Sequence, residues 1–488
     1  MVLTHTLAAF LIFATGYGAE ILLIYPRLES GQDTFRYPAN LDSTFVFGHI
    51  APSEPGSQLD FNGIPVDLTE DGAFLAYLPL FWQAETLGWH ASLTDRGQRT
   101  STLFFPFAAQ AEPEPVDWTA LEQAAAFRVG VSNAHTRTAV GGSYYFFPDS
   151  GTMLAVNKVS PNWLEFEAGP GLAGVIERRY ADSVGMWQNW TANFIKNGEV
   201  SVQQDTIRIL FETDWAFLTE CRTDPAGRRF TIGIPGAVCA IDRVHYVGPA
   251  REFVEDISWR QHSWGTELDI NLAMQITHGY SLTASATALR LDIYAKSVEA
   301  KSLRGKKIVL DPGHGGTADG AIGPRGFKEK DVVLVWSEIL EQQLRKAGAD
   351  VFRTRTQDVA IGLHDRVQMA RWQNCDAFLS LHGNALPDGE NPFSRRGCGT
   401  YYYQTLSRPL AESIQREILQ ATSLGDDGVF DANFAVVRPT DFPAVLIEAA
   451  YMMHPDEELK LADKEFLHTL SRGVVNGLLD YFRNAPAR

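Results

Sequence analysis

Three apolar runs after residue 305 stop on a side chain that can bind a metal or move a proton. "IVLD" leads into "PGHGG" and His314, "AFLSL" leads into His382, and "AVLI" leads into Glu448. A fourth such residue, Glu329, opens the helical stretch that follows His314. In open α/β sheets, ligands gather outside the carboxyl ends of the strands. If these strands are neighbours, all four side chains meet on one edge. A lone histidine at a strand end is more often a loop residue bonded to backbone. Glycine context weighs the other way. Gly313, Gly315 and Gly316 clear side chains from around His314, and Gly383 with Asn384 leaves room beside His382, where a packing role would call for bulk.

The elements that must carry these residues are legible from residue 306 onward. "KKIVLD" is a continuous apolar run of the kind found in buried parallel strands. Residues 329–347 place Val332, Trp336, Leu340 and Leu344 on one helical face, with Gly348 at the C-terminal cap position. "DVFRTR", "DAFLSLH", "TYYYQ", "FAVVR" and "PAVLIE" read as strands. "LHDRVQMARWQN", residues 409–421 and a last stretch from 456 to about 482 read as helices. This alternation predicts an α/β domain at 306–488 with a largely parallel sheet.

Upstream the texture is β, with short apolar runs between turn clusters. Residues 20–107, with "STFVFGHI" and "GAFLAYLPL", suggest a small sandwich of immunoglobulin type. The Pro, Glu and Ala of 108–117 read as a linker. Residues 118–190 resemble an SH3-like β module, and 196–296 suit another antiparallel module. The chain is therefore expected to be multidomain, with all-β modules preceding the α/β domain. Residues 1–19 resemble a signal peptide, with an apolar stretch at 7–14 before Gly16 and Gly18, and imply export to the periplasm or cell envelope. An uncleaved anchor reaching Tyr25 is the alternative.

The formal charge of −17 argues against a nucleic-acid partner, which would need clustered Lys and Arg. Residues 301–488 hold 23 Lys+Arg against 25 Asp+Glu, so the acidity lies in the first 300 residues. It serves solubility or faces a cationic protein partner. Cys221, Cys239, Cys375 and Cys398 form no C-x-x-C pair, so a thiolate zinc site is not expected. Cys221 and Cys239 either bridge or remain free.

"VLDPGHGG", "GFKEKDVVL", "TRTQDVAIGLHDRVQMARWQNCDAFLSLHGNA" and "PAVLIEAAYMMHPDEE" occur in this order. Together they resemble the zinc-dependent N-acetylmuramoyl-L-alanine amidases of the cell-wall "amidase 3" type, over residues 306 to about 483. The resemblance implies an α/β sheet flanked by helices, and Zn2+ held by His314, Glu329 and His382. It implies that Glu448 is catalytic and that peptidoglycan is the substrate, cut between N-acetylmuramic acid and L-alanine. An inactive wall-binding or scaffold protein is the alternative. Residues 196–296 weakly resemble the β modules that precede such amidases, and the upstream modules could bind wall or a protein regulator.

Further residues are candidates for substrate contact or support. Asp311 either orients the His314 loop or simply forms a turn before Pro312. Arg366 is expected to pair with Asp358 or another carboxylate. Asn384 is a candidate for substrate contact, and Asp331 for a helix N-terminal partner. His364 is not expected to be a ligand. His454, where the family usually has a small polar residue, is expected in a surface turn before Pro455. The 65 residues between His382 and Glu448 leave little room for the blocking helix that some such amidases carry.

Overall fold

The computed structural model describes residues 20–484 apart from 28–33, 83–86, 96–97, 111–113, 132–133, 170–171, 188–192, 277 and 296–301. The expected signal peptide thus lies outside the described residues. Extension of an anchor to Tyr25 does not hold. Glu20–Tyr25 is strand β1, paired antiparallel with β2 (Ser43–Ala51), which fixes its backbone in a sheet. Among the described residues, no helix is long and apolar enough to cross a membrane.

β2 pairs in turn with β3 (Ala73–Pro79), completing a three-stranded sheet. A five-stranded sheet containing Gly88–Asp95 and Gln98–Ala109 makes the other layer. The last strand outruns the expected domain end. Ala108 and Ala109, read as linker, pair in parallel with Arg36 and Tyr37 and extend the sheet edge. Period-2 alternation explains the layering. Val46, Ile50, Phe74, Ala76 and Leu78 enter the core between the sheets. Phe45, Phe47 and Leu75 point to the other side and are equally buried there, against Leu386, Tyr451 and Met453.

Residues 119–186 form a six-stranded antiparallel sheet around Phe127, Leu154, Val156 and Phe166. The next module stacks a five-stranded and a four-stranded sheet over a core containing Ile209, Phe211, Phe230 and Ile270. All four cysteines are free thiols. Cys221 and Cys239 belong to different sheets and are not bridged.

The C-terminal domain runs β4 (Lys307–Pro312), α1 (Glu329–Lys346), β5 (Asp350–Arg353), α2 (Leu363–Gln373), β6 (Ala377–Asn384), β7 (Cys398–Tyr402), α3 (Arg408–Thr422), β8 (Asp426–Asp431), β9 (Ala444–Tyr451), α4 (Pro455–Ala462) and α5 (Lys464–Asn484). Strand order is β5-β4-β6-β9-β7-β8. β5, β4, β6 and β9 are mutually parallel, while β7 runs antiparallel to β9. The continuous apolar runs follow from burial on both faces. Ile308, Leu310, Leu379, Leu381, Val445 and Ile447 face α1, α3 and α5. Val309, Phe378, Ala444 and Leu446 face α2.

Two expected elements differ. "FAVVR" is not a strand. Ala435–Val437 is a short 3-10 turn that buries Val436 and Val437 beside α2, and the strand is the polar edge segment β8, whose pairing with β7 outweighs its weak apolar pattern. The expected last helix is two helices. Asp463 is extended between them, and its side chain accepts a hydrogen bond from the Glu465 N–H.

Candidate metal centre

β4 and β6 are adjacent and in register, so their carboxyl ends present His314 and His382 together. The Gly313 N–H continues the ladder to the Leu381 carbonyl at 3.0 Å. The two imidazoles meet edge to face, with centroids 4.9 Å apart. That approach requires Gly313, because a Cβ there would lie 2.3 Å from the His382 Cε1. Gly320 does the same for the carboxylate, since its Cβ would stand 2.4 Å from Glu329 Oε2. His314 itself has φ +58°, a conformation a non-glycine residue holds only when its surroundings impose it.

Glu329, on the first turn of α1, bridges the histidines. Its Oε2 is 3.0 Å from His314 Nε2, and its Oε1 is 2.8 Å from His382 Nδ1. The Gly383 N–H donates to Oε1 at 3.0 Å and the Ala321 N–H to Oε2 at 2.7 Å. Burial alone would raise this carboxyl, but hydrogen bonds from the two imidazoles hold it well below the usual carboxylate range. Potential ligand atoms of the three residues all lie within 4.8 Å of one another.

β9 brings in the fourth residue. Glu448 stands opposite His382 in the parallel register and opposite Gly399 of β7. Its Oε2 is buried and has no hydrogen-bond partner. Burial, reinforced by the negative charges of Glu329 and Asp427, pushes this carboxyl well above its ordinary range. Two neighbouring carboxylates are thereby driven apart, one held ionised and one inclined to hold a proton, a pattern suited to acid–base work.

The His314 loop is held by arginine. Arg366 Nη1 donates to Asp311 Oδ1 and to the Pro312 carbonyl, both at 2.8 Å, and its Nη2 donates to the His314 carbonyl at 2.7 Å. Of the two expected alternatives, Arg366 takes another carboxylate, Asp311, rather than Asp358. Asp358 instead accepts from Lys330 and from the Gly316 N–H, because α2 aims Arg366 inward under the loop. Asp311 is fully engaged, accepting also from Thr354 and Ser380. Asn384 is buried at the end of β6, near the Tyr401 hydroxyl. Asp331 is exposed in the first turn of α1, and His364 lies on α2 outside the cluster. His454 is not in a surface turn. It is 2% exposed, with Nε2 against the Pro392 and Arg395 carbonyls, because the 392–395 turn folds over it.

Arg355 escaped the sequence reading. It is 2% exposed and donates to the carbonyls of Pro312, Gly313 and Lys330. Its signal was its place two residues beyond the end of β5, at the same sheet edge as the other strand-end residues.

Residues 308–480 match the sequence profile of the N-acetylmuramoyl-L-alanine amidase family. The probable cell wall amidase LytH of Staphylococcus aureus is 36% identical over 195 residues, which are 39% of this chain and 64% of LytH. Among solved structures, an N-acetylmuramoyl-L-alanine amidase from Clostridium difficile 630 shows 31% identity, covering 38% of this chain and all of that one, with a TM-score of 0.36. The amidase AmiC2 of Nostoc punctiforme shows 32% identity over 38% of this chain and 98% of its own, with a TM-score of 0.34. The chain thus spans less than two thirds of the curated relatives that it matches. Through residues 308–480, this chain is similar to the N-acetylmuramoyl-L-alanine amidase family.

Proposed function

We propose that the chain is a zinc-dependent N-acetylmuramoyl-L-alanine amidase that hydrolyses the amide between N-acetylmuramic acid and L-alanine in peptidoglycan, working at the cell envelope. The carrying observation is the convergence of His314, Glu329 and His382 at one sheet edge, with Glu448 one strand away. The residues fit zinc. Two imidazoles and one carboxylate are the donor set of a catalytic site with an open position. The backbone N–H groups that fix Glu329 are the supporting contacts such ligands need. When bound, the ion supplies Lewis acidity toward the amide carbonyl and lowers the pKa of a water to about 7.

The protein's own groups do the rest. Glu448, with its unpartnered oxygen and raised proton affinity, takes a proton from the attacking water and returns it to the leaving amine of L-alanine. Arg366 and Arg355 keep His314 at its station. In this reading Asn384 contacts the substrate. We assign the six-stranded module as SH3-like and, with the module after it, as the part that meets the wall.

The test uses the purified chain and isolated peptidoglycan, with released products identified by mass. Wild type should free stem peptides that begin at L-alanine, and a chelator should stop it. Glu448→Gln should lose about 10²–10⁴-fold in rate. No release from protein carrying stoichiometric zinc would replace this reading with a wall-binding or scaffold role.

A further inference from the structure

We propose that the N-terminal sandwich is part of the metal centre's scaffold: Tyr25, Thr44, Tyr77 and Asp71 act as positioning residues for two of the four chain segments that carry its chemistry, and Phe45, Phe47 and Leu75 for a third. The inference rests on the amidase reading of that centre and extends it to a face of the molecule that the reading leaves unused.

The contacts fall on all three segments. The first follows His382. Asp388 Oδ1 accepts from the Tyr25 hydroxyl at 2.7 Å and the Thr44 hydroxyl at 3.1 Å, and the Gly389 carbonyl accepts from the Tyr77 hydroxyl at 2.9 Å. Gly389 sits so close to Leu41 that a Cβ would come within 2.5 Å of its Cδ2. The second segment precedes Glu329. His49 Nδ1 lies 3.1 Å from the Pro324 carbonyl, and Arg325 forks onto Asp71 at 2.6 and 2.7 Å. The third follows Glu448. Tyr451 and Met453 pack with Leu386 against Phe45, Phe47 and Leu75. Arg325 ties the second segment to the third, donating to Glu458 at 3.0 Å and to the Pro455 carbonyl at 2.6 Å.

The spacing makes these contacts consequential. Asp388 lies six residues after His382, Arg325 four before Glu329, and Tyr451 three after Glu448. Within so few residues a loop has little slack, so fixing one end restricts the other. The burial is also two-sided. β2 and β3 use alternate residues for the sandwich core and for this interface, so the face is not a surface awaiting some other ligand. The His314 loop is the exception. Its holds come from Arg355, Arg366 and Lys330, all within its own domain, which makes it an internal control.

The experiment uses the full chain with Tyr25→Phe, Thr44→Val and Tyr77→Phe combined, and separately Asp71→Asn. Both leave the catalytic domain's sequence intact and remove only hydroxyls or one exposed carboxylate. Hydrogen exchange, zinc affinity by chelator competition, and the visible spectrum of the cobalt-substituted protein are read together with kcat and KM. The triple variant should exchange faster at 384–391 and Asp71→Asn at 321–328, with 315–317 unchanged. Each should bind zinc about 10-fold more weakly, shift the cobalt bands and lower kcat with little change in KM. Wild-type exchange at these loops, or wild-type affinity and cobalt spectrum despite faster exchange, overturns the proposal while leaving the amidase reading intact. A wild-type chain that takes up no zinc removes both.

Discussion

Arg366 shows how much of a candidate metal site can depend on a residue outside the His314, Glu329 and His382 cluster. Its guanidinium reaches Asp311, two carbonyls of the His314 loop and the Ile361 carbonyl while 3% exposed. A lysine keeps the charge but not the planar fork, so it cannot reach these four acceptors at once. Arg366→Lys should therefore cost about 1–3 kcal/mol in urea unfolding and about 10–100-fold in zinc affinity by chelator competition. Unchanged affinity would mean that the His314 loop holds its shape without this residue. The meeting of His314 and His382 at one sheet edge, with Glu448 a strand away, was legible in the sequence because such types are unusual at the ends of apolar runs, whereas Glu329 opens a helix and joined them only through the resemblance. Arg355 was not, because an arginine after a short strand at a sheet edge looks like any solvated cation. Only the adjacency of β4 and β5 turns it under the loop. His454 misled for the opposite reason: a polar residue before proline suggests a turn at the surface, and burial by a segment some 60 residues away leaves no local mark.

At the scale of elements, period and run length carried most of the C-terminal domain. β4, β6 and β9 are apolar on both faces because helices cover both, and that doubly buried pattern is hard to mistake. The misses came where tertiary pairing decides. β8 is a strand through β7 rather than through its own composition, and Asp463 splits a helical run by capping its second half. The packing of α5 on α3 includes a polar pin. Burial opposes the charge on Asp480, but hydrogen bonds from Ser413 and Arg416 hold its carboxyl below the ordinary range. A depressed folded pKa gives stability that is present above the unfolded value, about 3.9, and lost as pH falls through the folded one. The pair is half exposed, so its worth is at most about 1 kcal/mol. Asp480→Asn should therefore melt slightly below wild type at pH 7, and the gap should begin to narrow as the pH falls below about 4 in a series of thermal unfolding curves. A gap that stays constant from about pH 5 down to about pH 2 would show that the charge is not what matters.

For the whole molecule, the continuous apolar runs "TFVF" and "AFLAYL" already hinted that both faces of the first sheet are covered, since a sheet with one wet face alternates. The sequence could not say that the second cover is the amidase domain more than 200 residues later, because nothing local encodes a docking partner. A fragment of residues 302–488 should leave Leu386, Tyr451 and Met453 without their cover. It should bind an apolar fluorescent dye more strongly than the full chain, and equal dye binding would mean that these side chains find shelter within the fragment. The order of these parts along the chain has its own consequence. The face that receives the loops is built by residues up to Ala109, while the first loop to reach it begins near Pro324. During synthesis at about 5–20 residues per second, the template stands complete for roughly 10–40 s before its first guest emerges. Synthesis is therefore vectorial: the residues of the receiving surface are all made before the segments beside Glu329 and His382 that dock on it.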